Sequence, residues 1–325
     1  MLRLNLVILQ LPPPSAPPPP PALQAPGQAV VAFLDRKVLA MGTELRLHLE
    51  GTTDLARASE AALGESARIE AACSTWNRAS AWSHLNAAHG AWVPLAPEWL
   101  DLLEQIKGWT RGTEGAFDPV LMALLQAWDI RQGGRTPGAE VLAAARRDSG
   151  QALLELDHAH GLARLLAPGA GVEEGGFLKG YALDAMRRTA GVPSGWIDFG
   201  GQVLAWGRST SVDIADPQDR QKTRCTLALV EASLSCSGTS ERGRHILDPR
   251  TGEPCPAWGS TAVVAADALS ADVLSTALYV LGPDAGLVWA ERHKVAAAFL
   301  LNDGRVRMST AFRALRPTLI PLESR

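Results

Sequence analysis

The sequence predicts an α+β fold. Segments with strand-like alternation and segments with helical spacing are interspersed without a regular βαβ period. No internal repeat is visible, and no second linker divides the body. The chain has 325 residues, 46% of them hydrophobic and 20% charged, with a formal net charge of −3. That length buries a core large enough to need no disulfide or metal staple. The charge is small and of the wrong sign for a protein that lives on nucleic-acid phosphates, and no long Lys/Arg run appears. No stretch of about 18 apolar residues stands out, so no mature transmembrane helix is expected.

Proline sets off the beginning of the chain: nine of the 22 prolines fall between Pro12 and Pro26. Met1 to Leu11 has one early Arg and then a short apolar stretch, resembling a secretory signal with Leu23-Gln24-Ala25 as a cleavage tripeptide. A disordered cytoplasmic tail is the other reading. Residues 1–28 are therefore set apart as a signal or proline-rich disordered segment, and 29–325 as the globular unit. From Val30 to Glu50 the alternation predicts two strands around Met41-Gly42-Thr43. Helices follow at Ala56 to Ala72 and Trp99 to Thr110. A third runs from Val120 to Trp128, with Asp118 as N-cap and Pro119 at its first position, and a fourth from Gly138 to Arg147. Lys179 to Thr189 is helical by pattern. Gly195 to Leu204, Ser211 to Ala215 and Thr226 to Ser235 each read as one strand, and Thr261 to Ala265 as another. Ser270 to Leu281 is a helix, and Val295 to Leu301 and Arg305 to Met308 close as a hairpin over Asn302-Asp303-Gly304. Cys73, Cys225, Cys236 and Cys255 lack C-x-x-C spacing, which argues for free buried thiols over a zinc site; in an exported chain two of them could pair.

Four stretches place glycine beside acid, base or hydroxyl groups. Gly115-Ala116-Phe117-Asp118-Pro119 is either a helix start whose free N–H groups receive a ligand's polar edge or an ordinary capped start. Glu173 to Tyr181 (EEGGFLKGY) lacks P-loop spacing; either its glycines let a ligand approach the backbone closely, with Glu173 and Lys179 at the edges, or it is a loop leading into an amphipathic helix. In His245 to Gly252, either imidazole beside Asp248 serves as a general base, or Asp248-Pro249 opens a turn closed by Gly252. Asp272 and Thr276 stand at i, i+4 on a helix, where hard oxygens on one face suit magnesium. The alternative is a helix cap and a hydroxyl bonded to its own backbone.

Taken together and in this order, the stretches resemble the ApbE family, the FAD:protein FMN transferases. The matching segments are Met41-Gly42-Thr43; Ser74-Thr75-Trp76 with Ser80 and Leu85-Asn86; Gly115 to Pro119; and Gly175 to Asp184. Gly200-Gly201, Ser237-Gly238, His245 to Gly252 and Ala271 to Thr276 complete the set, which spans roughly residues 30 to 310. The resemblance implies a single T-fold-related unit of mixed sheets and packed helices that binds FAD with Mg²⁺. Such an enzyme splits the pyrophosphate, transfers FMN to a Thr or Ser hydroxyl of an acceptor flavoprotein, and releases AMP. It implies Asp272, Thr276 and a backbone carbonyl of Gly176 as metal ligands, and His245 as the base. FAD contacts are implied for Met41, Trp76, Ala116, Phe117, Asp118, Glu173, Lys179 and Ile246. Acceptors in such families are redox-complex subunits or extracytoplasmic flavoproteins, which points to a periplasmic or cell-envelope location, with a cytoplasmic one as the alternative.

The chain departs from the family pattern in five places. Glu173-Glu174 replaces Asp-Leu, Trp76 replaces Tyr, Cys236 replaces Thr, Asp198 replaces Asn, and the span from Ser237 to His245 is short. Two further readings keep the same site: an FAD pyrophosphatase giving FMN and AMP, and a non-catalytic FAD-binding or storage protein.

Overall fold

A computed structural model describes residues 31–239 and 245–321. The signal or proline-rich segment expected over 1–28 lies outside these residues, as does most of the short span before His245. Strands β1 (Ala32–Ala40) and β2 (Thr43–Gly51) form an antiparallel hairpin. Its two turn residues, Met41 and Gly42, have φ of 44° and 71°, the sign that a tight turn joining twisted strands requires. In α1 (Leu55–Cys73) Asp54 caps the first turn by accepting the Arg57 N–H. Leu55, Ser59, Ala62, Ser66, Ile69 and Cys73 recur at three- and four-residue steps, so one stripe enters the core. Next come α2 (Ala81–Asn86), β3 (Val93–Pro94) and α3 (Pro97–Gly112), the last begun by Pro97. Then follow α4 (Met122–Ala127), α5 (Ala139–Arg147), β4 (Leu154–Asp157), β5 (Leu162–Leu165) and α6 (Leu178–Ala190).

The second half contributes most of the sheet: β6 (Ser194–Phe199), β7 (Gln202–Trp206), β8 (Thr210–Ala215), β9 (Thr223–Leu229) and β10 (Ala232–Gly238). After the short hairpin β11 (Leu247–Asp248) and β12 (Glu253–Pro254) come β13 (Gly259–Ala265) and α7 (Ala268–Arg292). The chain ends in β14 (Ala296–Leu301), β15 (Val306–Met308), α8 (Thr310–Ala314) and β16 (Thr318–Leu319). Eight strands pair antiparallel in the order β1-β2-β6-β7-β10-β13-β14-β15. A sheet ordered β16-β9-β8 covers one face of its middle, and the helices cover the other. Alternation along single strands shows this layering. On β14, Ala298 and Leu300 join the core beneath the small sheet, while Ala297 and Phe299 pack on the α7 side. The expected α+β class holds.

Several boundaries differ from the sequence expectation. The segments 195–204 and 226–235 are not single strands. The first turns at Gly200-Gly201, and the second at Val230-Glu231, where Glu231 has φ of 47°. The helix expected from Val120 starts at Met122, with Leu121 as its N-cap, so Asp118 does not cap it. The helix expected to end at Leu281 does break there: Gly282 has φ 76° and ψ 173°, Pro283 follows, and a second helical segment runs on to Arg292. Among the described residues, α7 is the one helix long and apolar enough to cross a membrane. It is interrupted by that break, and its first part, from Ala268 to Tyr279, is buried except at the half-buried Ser270 and Thr276, between α6 and strands β10 and β13.

The approach of α6 to α7 positions the site. Asp184 on α6 accepts the Ala268 and Leu269 N–H groups at 2.8 and 2.9 Å, satisfying the first free donors of α7. Asp267 accepts the Ser270 N–H at 2.7 Å and completes the cap. We expect Asp184→Ala to lower the unfolding free energy by about 1–2 kcal/mol, the usual cost of a lost N-terminal cap. Urea denaturation checks this, and an unchanged midpoint would contradict the assignment.

Candidate functional site

Asp272 lies on the first part of α7 and is 3% exposed. Its Oδ2 accepts the Gly180 N–H at 3.0 Å, and its Oδ1 faces the Lys179 ammonium at 3.6 Å. One helical turn on, the Thr276 hydroxyl bonds the Asp272 carbonyl at 3.3 Å and the Ser237 hydroxyl at 3.2 Å. The backbone bond is the structural alternative considered for Thr276; the cap role considered for Asp272 belongs instead to Asp267. Ser275 bonds Ser237 at 2.8 Å and Ser235 at 3.2 Å, so a ladder of hydroxyls runs beside the Asp272–Thr276 face. Gly176 is part of the same cluster. A Cβ there would stand 2.9 Å from a Phe117 ring carbon and 3.5 Å from Thr276 Oγ1.

The loop before α6 is tied down at both glutamates. The Glu173 N–H donates to the Pro119 carbonyl at 2.8 Å, joining this loop to the Gly115–Pro119 segment, and its Oε2 accepts the Gly175 N–H at 2.9 Å. The Glu174 carboxylate, where the family usually has Leu, accepts the Thr75 N–H at 2.8 Å and the Thr75 hydroxyl at 2.6 Å. Arg131 lies 3.6 Å from Glu173 Oε1 and 4.0 Å from Glu174 Oε2, and its guanidinium lies 4.4 Å from the Trp76 ring centre. Burial first, and then the Glu174 charge, push the Glu173 carboxyl above the usual range, against the Gly175 N–H and Arg131. The Trp76 ring is 68% exposed and available to a ligand.

The Gly115–Pro119 segment differs from its expected role. The Phe117 N–H is taken by the Thr113 hydroxyl at 3.2 Å and the Ala116 N–H by the Thr113 carbonyl at 3.0 Å. Phe117 is buried and meets Phe177 edge-on with centroids 6.2 Å apart. The Asp118 oxygens accept the Val120 and Gln151 N–H groups, each at 2.8 Å. Met41 donates its N–H to Glu70 on α1 at 3.0 Å. Ile246 packs with Cys255 and Tyr279, one turn beyond Thr276 on α7. His245 is half-buried just before it, while the Asp248 carboxylate is occupied by Arg250 at 2.8–2.9 Å. Asp248 and Gly252 form the turn between β11 and β12 that was the alternative reading. No disulfide joins the four cysteines; Cys73, Cys225 and Cys255 are buried as expected and Cys236 is half-buried, with burial pushing its thiol up to about 12.

The structure thus joins Asp272, Thr276, Gly176, Lys179, Phe117 and Ile246 around α7, and Glu173 with Trp76 through Arg131. Arg131 and Thr75 were missed as functional candidates. The legible signal was the Glu173-Glu174 pair itself, since two adjacent partly buried carboxylates require a nearby cation. A cavity of ≈ 700 Å³ opens elsewhere, lined by Trp92, Lys107, Arg111, Gln151, Leu154 and His158 among others, and no site residue named above lines it.

A family model described as "ApbE family" matches residues 41–300. An FAD:protein FMN transferase of Treponema pallidum is 30% identical, the match covering 87% of this chain and 88% of the relative. One from Klebsiella pneumoniae is 28% identical over 84% and 86%. Among solved structures, an ApbE protein from Thermotoga maritima has a TM-score of 0.82 at 26% identity, covering 87% of this chain and 99% of its own. The apo form of the Pseudomonas stutzeri flavinyl transferase ApbE gives 0.77 at 26% identity, covering 90% and 99%.

Burial raises the Asp118 carboxyl to about 6, against its two backbone hydrogen bonds. A raised folded-state value means the folded chain holds this proton more tightly. The contribution is therefore present at low pH and lost as pH climbs from the ordinary value near 4 through about 6. We expect the stability advantage of the native chain over Asp118→Asn to be larger at pH 4 than at pH 7, by about 2 kcal/mol. Denaturant titrations at the two pH values check this, and an advantage that grows with pH would contradict it.

Proposed function

The chain belongs to the ApbE family, and we propose that it transfers FMN from FAD to a Thr or Ser hydroxyl of an acceptor flavoprotein, with AMP as the leaving product. The observation that carries this reading is the buried Asp272 carboxylate. Gly180 fixes one of its oxygens, and the other faces the Lys179 ammonium at 3.6 Å; Thr276 stands one helical turn on, and Gly176 lies close to the Thr276 hydroxyl. A carboxylate held this deep needs positive charge in front of it. FAD alone does not supply that charge; Lys179 and a divalent ion do.

The residues fit Mg²⁺. Asp272, Thr276 and the Gly176 carbonyl offer one carboxylate, one hydroxyl and one backbone oxygen, a hard and incomplete donor set of the kind magnesium completes with waters and substrate phosphates. The Gly176 backbone lies close to this helical face: a Cβ there would meet the Phe117 ring at 2.9 Å and come within 3.5 Å of Thr276 Oγ1. When bound there, the ion supplies charge neutralisation on the phosphate oxygens of the pyrophosphate.

This chain's own residues divide the remaining work. Lys179, opposite Asp272, is placed to pair with a phosphate oxygen and give up its contact with the carboxylate. Trp76 offers an exposed aromatic face to a flat ring of FAD. His245 is the candidate base for the acceptor hydroxyl, which is a weak nucleophile until its proton is taken. The Asp118 side chain, engaged by Val120 and Gln151, serves by shaping the segment that carries Phe117.

The test is incubation of the protein with FAD, Mg²⁺ and a flavin-acceptor domain, read by in-gel flavin fluorescence and by free FMN and AMP. Labelled acceptor is the expected result. FMN and AMP without labelling would replace transfer by hydrolysis, and unchanged bound FAD would replace it by storage. We expect Asp272→Ala to reduce labelling by on the order of 10²–10³-fold, the scale for losing a group aligned with developing charge. Full retention would overturn the metal assignment. Thr276→Val, which keeps the side-chain shape and removes the hydroxyl, is expected to weaken Mg²⁺ binding in calorimetry while leaving the fold intact by circular dichroism; unchanged binding would remove Thr276 from the ligand set.

A further inference from the structure

Arg131 belongs to none of the matching family segments, yet it touches three parts of the proposed site. It lies in a single 3-10 turn, Ile130–Gln132, bracketed by Asp129 with φ of 54° and Gly133 with φ of 107°. The backbone is shaped on both sides to deliver this side chain. Its guanidinium donates to Thr75 Oγ1 at 2.6 Å, pairs with Glu173 and Glu174, and lies over the Trp76 ring. Thr75 in turn donates to Glu174, so Arg131, Thr75, Glu174 and Glu173 form one connected network. Trp76 is attached to that network by its neighbour Thr75 and by the stacked guanidinium.

An indole exposed on a short loop would otherwise sample several rotamers, and a ligand that stacks on it would have to order it. A planar cation against one face holds the ring in place and leaves the opposite face for a flat partner. We propose that Arg131 is a positioning residue that fixes Trp76 as a one-faced platform for a flat ring of FAD, and thereby sets flavin affinity more than the rate of transfer. The proposal rests on the reading of FAD as the substrate. Its chemistry is aromatic stacking, and two rings of FAD qualify, the isoalloxazine and the adenine. Competition by riboflavin or by AMP tells them apart.

The experiment is equilibrium binding of FAD, with steady-state labelling of an acceptor domain, for the native chain and Arg131→Met, Arg131→Lys, Trp76→Ala and the Arg131→Met/Trp76→Ala double variant. Circular dichroism checks folding. Arg131→Met is expected to weaken FAD binding about tenfold and raise KM to match, with kcat within about twofold. Arg131→Lys keeps the charge without the planar stack and is expected to recover only part of that loss. In the Trp76→Ala background the arginine substitution is expected to have little further effect on binding. Riboflavin competing in the native chain but not in Trp76→Ala would assign the isoalloxazine; the same pattern with AMP would assign the adenine. Equal FAD binding by the native chain and Arg131→Met would overturn the proposal. So would full rescue by lysine, or an effect of equal size without Trp76, since each would reduce Arg131 to a counter-charge for the two glutamates. Should Arg131→Met fail to fold, the lysine variant decides. Failure of the native chain itself to bind FAD would remove the functional reading along with the proposal.

Discussion

The hydrogen bond from the Gly180 backbone N–H to Asp272 Oδ2, 3.0 Å long, is the contact on which the site depends. It exists because α6 and α7 pass very close together. A Cβ at Gly180 would lie 2.4 Å from the Ala268 carbonyl oxygen, and neither backbone can yield. Asp184 draws the start of α7 onto α6, and the Gln202 amide holds the Ala268 carbonyl from the sheet side at 2.7 Å. A backbone donor has no rotamers to lose, so it orients the carboxylate at little entropic cost. With one oxygen committed, the second faces the Lys179 ammonium at 3.6 Å.

The glycine loop meets a different constraint. Placing Glu at position 174, where the family pattern the chain resembles has Leu, buries a second carboxylate next to Glu173. A buried carboxylate without partners costs several kcal/mol. Here the Glu174 oxygens are satisfied by the N–H and hydroxyl of Thr75, and Arg131 supplies a cation to both glutamates. The substitution thus ties the Thr75–Trp76 segment to the loop that leads into Gly176 and Lys179. A departure from the family pattern that the sequence alone left in doubt becomes a local rearrangement with its own partners.

Much of this was legible in the sequence, for identifiable reasons. Helices α1, α3, α5 and α6 have clear apolar periodicity or start signals, and the first part of α7 ends where Gly282-Pro283 says it should. Asp272 and Thr276 were recognisable as a pair because their spacing puts them on one helical face. The hairpins at Gly200-Gly201 and Val230-Glu231 were read as single strands. In the first, the Gly200-Gly201 pair, with φ of 60° and 87°, is itself a two-residue hairpin signal that reading the segment as one strand overlooks; in the second, Val and Glu carry no turn signature, although Glu231 takes a positive φ. Asp118 followed by proline looks like a helix cap, but its two oxygens are claimed by Val120 and by the distant Gln151, a tertiary contact that no local pattern reveals. The short elements α2, β3, β4 and β5 lack the length for periodicity to register.

The most direct measurement is anomalous diffraction from crystals grown with FAD and with Mn²⁺ in place of Mg²⁺. A peak within coordination distance of the Asp272 carboxylate, Thr276 Oγ1 and the Gly176 carbonyl, adjoining the pyrophosphate of FAD, is the expected result. Bound FAD with the metal peak elsewhere, or with no peak and Lys179 still facing Asp272, would contradict the assignment of this cluster as the reacting centre.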